Sequence, residues 1–514
     1  MPRLYHTLLL LTLIACTLFA SAQSNYWTHQ YGARATLTGG VCMSCANDNS
    51  VFYYNPGAIG FIDSGSINIT SQLYGLDFIN LKNGAGPGVD MGNNKVNVTA
   101  QVLVGSISFK KAPRIKLVYG YIMRNSQRWD FNTQVDKMYD VIPQAPGLEH
   151  YRAKFDYTYT FFEYWGGIAA GYRINEHISV GLGHYGGYVG IRSNIYNSVS
   201  ADAIDANGQA YTAAVNKRNE YRVDHMYILW KPGIDIHYGN WKIALAGMVP
   251  STRLWGRGSI EKTIETYNMD RYNQDPENVL ALYPSFAVST DQRGLKTHFK
   301  LAPSIAVGAE YENKKFRLAF AFEYYFAVKE YEIIHGDVSN AYVRPANSLG
   351  NLSIDNYLTL HNGSYGVLNT GVGAEIKVSR RITILTGMHT DFNNKIPLFK
   401  KDVSAYVTET TPASWHYVDF ALGMSINKAN GKTYIGTTYN YGFSSYHQSF
   451  VNFAEPSYEN NLAGPISNTM QSNVHQFSIV LGHTHYLNGL LIEKIKKMDR
   501  ERKLRKRLRE RRAK

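Results

Sequence analysis

Past its N-terminal leader, the 514-residue sequence contains no run of the ~20 unbroken apolar residues that a transmembrane helix needs. Cysteine is nearly absent, with only Cys16, Cys42 and Cys45 in the whole chain. No second Cys pair accompanies Cys42-Met43-Ser44-Cys45, which excludes a Cys₄ metal site. The sequence has no Gly-x-Ser-x-Gly elbow, and His483 and His485 have no Ser and acid partners at a recognisable spacing, so no catalytic residue is assigned. Neither a metal nor a cofactor is expected. The net charge of +13 is unevenly placed, since thirteen Lys and Arg against four Asp and Glu lie between Glu493 and Lys514. A near-neutral body with a basic end does not fit a nucleic-acid binder, whose basic residues would line the body.

What is present begins with a leader. Arg3 precedes an apolar run from Leu8 to Phe19, and Ala20-Ser21-Ala22 forms a small-x-small cleavage site before Gln23. Residues 1–22 therefore read as a secretory signal peptide. A second reading treats Leu13-Ile14-Ala15-Cys16 as a lipoprotein box with Cys16 lipidated, but the apolar run continues past Cys16 to the better site. In an oxidising compartment Cys42 and Cys45 are a candidate disulfide; a redox or zinc half-site completed by distant His, or two plain thiols, are the alternatives. The composition is 13% aromatic, with 39 Tyr and 44 Gly, which suits a soluble sandwich or an outer-membrane barrel.

Period-2 alternation separates these two. Val96, Val98, Ala100, Val102 and Val104 alternate with polar or small neighbours, and Phe316, Leu318, Phe320, Phe322 and Tyr324 alternate with Arg317, Ala319, Ala321 and Glu323. Fourteen such strands are expected, near 64–81, 95–110, 115–127, 153–174, 178–197, 219–238, 241–261, 296–312, 315–333, 364–378, 381–392, 414–427, 432–448 and 474–487. Short connections such as 175–177, 239–240 and 313–314 alternate with mostly long ones such as 128–152, 198–218 and 262–295. An up-and-down antiparallel β-barrel in an outer membrane has this rhythm, with tight periplasmic turns and long outer loops. Trp165, Trp230, Trp241, Trp255 and Trp415 fall in strands or beside their ends, where girdle aromatics sit, although core packing explains any one of them equally. After Leu487 the spacing of Leu490, Leu491, Ile495, Met498, Leu504 and Leu508 among Lys and Arg suggests a basic periplasmic tail (488–514), helical or disordered.

A barrel this wide leaves a lumen that is either open or plugged. Residues 23–63 are too rich in Gly, Asn and Ser for a wall strand, yet too apolar at Val51–Tyr54 and Ala58–Phe61 to hang in water. They are placed inside the 64–487 barrel as a hatch. Pro56 fixes φ, Gly57 allows positive φ and Asn55 bonds its own backbone, so Asn55-Pro56-Gly57 is expected to form a rigid reversal.

The stretch Asn47, Asp48, Asn49, Ser50, Val51, Phe52, Tyr53, Tyr54, Asn55, Pro56 resembles the acidic, small-residue and aromatic-Asn-Pro hatch signature of the long-chain fatty-acid transporter (FadL-type, FadL/TodX) outer-membrane family, with Gly57 where Ala is usual. LAPSIAVGAEY (301–311) and LNTGVGAEIKVSRRITILTGMHTD (368–391) also resemble family segments. The resemblance implies a hydrophobic small-molecule ligand of the fatty-acid or aromatic-hydrocarbon class, taken up passively through the outer membrane of a Gram-negative bacterium. It further implies gating by Asn47, Asp48, Phe52, Tyr53, Tyr54, Asn55, Pro56 and Gly57, contact with outer-membrane lipids and exit through a wall gap. Cys42 and Cys45 depart from the family pattern. The competing reading is a scaffold or shuttle barrel serving a secretion system, with a periplasmic partner on the basic tail; a barrel lipid hydrolase is the remote third.

Overall fold

The computed structural model describes residues 25–45, 48–62, 65–109, 111–143, 145–205, 207–269, 285–344, 358–394, 415–428, 430–444 and 448–487. The expected leader (1–22), Asn47 and the basic tail (488–514) lie outside the described residues. The first strands are β1 (Ser66–Lys82), β2 (Met91–Ser108), β3 (Ile115–Tyr139), β4 (Glu149–Arg173), β5 (Ile178–Ile204) and β6 (Ala210–Tyr238). Then come β7 (Trp241–Met248), β8 (Thr252–Tyr267), β9 (Ser285–Lys296), β10 (Ser304–Glu312), β11 (Phe316–Tyr325), β12 (Val328–His335) and β13 (Tyr342–Arg344). The last are β14 (Thr359–Ser364), β15 (Val367–Lys377), β16 (Ile382–Asp391), β17 (Trp415–Lys428), β18 (Gly431–Ser444) and β19 (Gln471–Tyr486).

Seventeen of these form one antiparallel sheet, closed by pairing of β1 with β19 from Ser66 opposite Tyr486 to Lys82 opposite Gln471. Three wall strands are interrupted: β7 and β8 both pair with β6, β10 and β9 continue that row, and β11 and β13 pair with β10 and β9 in turn. The wall is thus a closed fourteen-strand barrel, as the alternation implied.

Alternation dictates which residues meet lipid. On β11, Phe316, Leu318, Phe320, Phe322 and Tyr324 point outward, while Arg317, Ala319, Ala321 and Tyr325 are buried inside. Ile243, Leu245, Ile305, Leu422 and Ile479 continue this exposed apolar band on other strands. Water would penalise such a surface and lipid does not.

Strands β3 to β6 run to 25, 25, 27 and 29 residues, against the roughly 9–11 that a tilted strand needs to cross a bilayer. At ~3.3 Å per residue they are roughly 80–95 Å long, so more than half of each stands outside the membrane. There the polarity inverts. Outward positions carry ion pairs such as Arg152–Asp202 (2.8 Å) and Arg218–Glu261 (2.9 Å), and inward ones carry Phe131, Tyr151, Phe155, Val199 and Val215. Much of the expected loops 128–152 and 198–218 is therefore strand, and the turns shrink to 140–148 and 205–209. A strand that faces water on its outside resembles a polar loop when each residue is scored for lipid.

The expected girdle of Trp is also corrected. Trp241 and Trp255 are exposed on the outside and Trp230 is half-buried, but Trp165 and Trp415 point into the lumen. Trp165 Nε1 donates to Glu163 (2.8 Å) and Tyr227 Oη (2.7 Å), partners available only inside.

Candidate functional site: a filled lumen and a break in the wall

Residues 25–45 and 48–62 lie within the barrel and touch strands around its circumference. A short helix, Ala33–Leu37, packs on β16 to β19, and a second, Val51–Tyr54, leads into a 3₁₀ helix, Pro56–Phe61, seated on β4 to β7. Val51, Phe52, Tyr53 and Tyr54 are buried, as are Asp48, Asn55, Pro56 and Gly57. The Phe52 carbonyl accepts from Tyr185 Oη, Tyr54 Oη donates to Gln30 (2.7 Å), and Asp48 Oδ1 accepts from Asn68 (2.9 Å) on β1.

The Asn-Pro-Gly motif does not form the expected reversal. Asn55 is the N-cap of the 3₁₀ helix and Pro56 its first residue, where a missing N–H costs nothing. Asn55 Oδ1 accepts from Gly57 N at 2.9 Å, the local bond anticipated for it, and its Nδ2 donates to the Ile234 carbonyl at 3.1 Å. Gly57 is not among the residues with positive φ. Its lack of a side chain is required by contact, because a Cβ there would sit 2.7 Å from the backbone of Gly233 and Ile234. Wall glycines answer it. A Cβ at Gly171, Gly181 or Gly233 would strike Gly60 N, Pro56 O or Asn55 Oδ1 at 2.3, 2.0 and 2.1 Å. On the far wall, Gly373 and Gly387 make equally close room for Thr38. These wall glycines escaped the sequence reading, where glycine signals turns and not the footprint of an enclosed segment.

Polar bonds anchor the segment at two further places. Asp391 on β16 accepts from Tyr26 N (3.0 Å), Trp27 N (2.9 Å) and Thr28 Oγ1 (2.7 Å). Near the short turns, Arg34 pairs with Glu375 (2.7 Å), and Arg317 pairs with Glu375 (3.0 Å) and Glu310 (2.6 Å). Arg317 also donates to the Val41 carbonyl at 2.8 Å, beside Cys42 and Cys45, which are joined as a disulfide with Cα atoms 5.0 Å apart.

Opposite this clamp the wall is incomplete. β2 and β3 pair only from Ser108–Lys116 to Val102–Ile122. Above that, β2 runs on to Met91 paired with β1 alone, and β3 runs on to Tyr139 paired with β4 alone. Side chains span the break instead of a ladder, with Asn93 donating to the Asp130 carbonyl and Lys95 to that of Arg128. The cause is local: a bulge between Met123 and Asn125 bends β3 where the pairing stops, and the extra residue is Arg124. Behind the break lies a cavity of about 240 Å³, lined by Asp77, Lys95, Gln127, Trp129, His389, Tyr417 and Asp419 among others.

The bulge also aims Arg124 inward. It is 3% exposed, its guanidinium 5.7–5.9 Å from the ring centres of Tyr26, Tyr53 and Trp165. Lys231, equally buried, lies 4.2 Å from the centre of the Tyr53 ring. Neither forms an ion pair among the described residues, so two buried cations face one aromatic centre. In the sequence they stand in apolar surroundings, YIMRN and LWKPG, and a charge amid lipid-facing residues was the signal available.

A closed fourteen-strand barrel with a lipid-facing band and an occupied lumen is an outer-membrane β-barrel. Its fold is that of the FadL/TodX hydrocarbon transporters. A Pseudomonas aeruginosa FadL homologue superposes with a TM-score of 0.50 and 12% identity over 90% of this chain and 100% of its own. The toluene transporter TodX of Pseudomonas putida does so at 0.51 and 9%, again over 90% and 100%. No family model and no curated protein matches the sequence.

Proposed function

We propose that this protein carries hydrophobic small molecules passively across the outer membrane of a Gram-negative bacterium, with residues 25–62 as the hatch and the break between β2 and β3 as a lateral exit. The break carries the reading. It opens at Met123–Asn125, at the outer edge of the membrane-crossing part of β3, and there joins the lumen to the lipid-facing side of the wall, where an apolar solute loses nothing by leaving water. Arg124 and Lys231 inside an aromatic centre suit an amphiphile with an acidic head, so a fatty acid fits better than a neutral hydrocarbon, which would leave them to the more distant charges of Glu163 and Glu323. The similar fold of TodX, described as a toluene transporter, supports an apolar solute.

The test closes the break covalently. Asn93→Cys with Asp130→Cys places a thiol pair where Asn93 already reaches across. In proteoliposomes, uptake of labelled dodecanoate should fall at least tenfold when the pair is oxidised and recover on reduction. Undiminished uptake by the oxidised pair would sink the lateral route.

A further inference from the structure

The cavity behind the break contains polar atoms that the chain itself leaves unsatisfied. Asp419 on β17 is 3% exposed, and among the described residues neither of its carboxylate oxygens accepts a hydrogen bond. His389 Nε2 lies 3.2 Å from Asp419 Oδ2 and 3.3 Å from Gln30 Nε2, which itself donates to the Trp27 carbonyl at 2.8 Å, and it is hydrogen-bonded to that same carbonyl at 3.1 Å. A neutral imidazole that donates its one ring proton to a carbonyl keeps its other nitrogen as an acceptor. His389 Nδ1 is that acceptor, and it too lacks a partner. Gln127 on β3, 8% exposed, has an unpartnered Oε1. All three residues line the one cavity. Among the fully buried atoms of its described lining residues, Trp129 Nε1 is the single unpartnered side-chain donor.

Leaving one buried polar atom unpaired costs about 1–3 kcal/mol, and more when it is charged. Four fully buried acceptors against one such donor define what the cavity lacks: N–H or O–H groups, and a positive charge for Asp419. Of the two basic side chains that line it, Arg128 is exposed and Lys95 is committed elsewhere, to the Arg128 carbonyl, with Asp77 at 3.9 Å and the Trp129 ring at 5.6 Å. Tyr417 and Trp129 supply flat apolar walls.

We propose that this cavity binds the protonated amine of a small aryl- or alkylammonium compound. Asp419 is the counter-ion, Gln127 Oε1 and His389 Nδ1 accept the remaining N–H groups, and the apolar body lies against Trp129 and Tyr417. The site differs in sign from the Arg124–Lys231 centre, and it stands on the cavity alone, whatever the fate of the uptake reading.

Calorimetry on the detergent-solubilised barrel tests it, with 2-phenylethylamine as probe and 2-phenylethanol as its neutral isostere. The amine should bind at least tenfold more tightly, and Asp419→Asn should abolish that preference while leaving the alcohol's affinity unchanged. No binding of the amine, equal affinity for both compounds, or a preference that survives Asp419→Asn overturns the proposal and leaves a cavity that holds water only. Should Asp419→Asn fail to form a heat-resistant barrel, Gln127→Leu replaces it: amine affinity should drop severalfold, and an unchanged affinity is equally fatal. Dodecanoate uptake is measured in parallel, so its loss with intact amine binding counts against the uptake reading alone.

Discussion

At Gly57 the methyl group of an alanine would have to occupy space held by the backbone of Gly233 and Ile234. Backbone atoms of a barrel wall cannot step aside as a side-chain tip can, so the 3₁₀ helix must move instead. Overpacking of this kind costs roughly 1–3 kcal/mol, and here it falls on the enclosed segment because β6 is held by ladders on both edges. Gly57→Ala should therefore still yield a heat-resistant barrel, while its ionic conductance in planar bilayers rises severalfold over the parent. A variant that conducts like the parent would show that the seat of residues 56–61 does not close the lumen. The bond of Asn55 to its own backbone and the fixed φ of Pro56 were legible in the sequence because both are local, although they start a 3₁₀ helix and not the reversal expected. The reason for Gly57 was not, since it depends on a glycine 176 positions away in β6.

Among the elements, β3 to β6 and β8 owe their character to a change of surroundings partway along. Within the membrane they expose apolar residues and enclose polar ones; beyond it, water outside and a filled interior reverse the preference. Lys262 on β8 is caught on the inner side of this outer stretch, 1% exposed, and burial pushes it down to about 7. An unfolded lysine titrates near 10.4. Between about 7 and that value the unfolded chain holds the extra proton, so stability rises with pH across the window, and the full penalty applies below about 7. Amide-exchange protection of the outer parts of β6 and β8 should accordingly be greater at pH 9 than at pH 6. Lys262→Met should flatten that difference, and a pH response retained in this variant would assign it to another group.

For the molecule as a whole, an even number of strands puts the two ends of the wall on one side, and Ser66 does pair with Tyr486. With the short turns facing the periplasm, a protease site inserted at 205–209 should be cut on intact cells. A tag at 175–177, or one after Arg500, should be reached only once the outer membrane is opened. Cleavage of the 488–514 tail on intact cells would invert the orientation proposed for the barrel.

What the sequence by itself determined is whatever repeats or acts locally: the period-2 faces, the alternation of short and long connections, the count of fourteen, and the bond of Asn55 to its own backbone. Each follows from residues within a few positions of one another, so no fold is needed to see it. Only the tertiary structure decided where the polarity of a strand inverts, which Trp face the lumen, which glycines make room for residues 25–62, and where β2 parts from β3. These depend on closure. A bulge at Arg124 is one extra residue in a strand and reads as ordinary alternation out of phase; it becomes a break only when both neighbours are held in a ring. Asp419, His389 and Gln127 likewise share a cavity because closing the barrel brings β16 and β17 round to β3, a meeting that no spacing along the chain records.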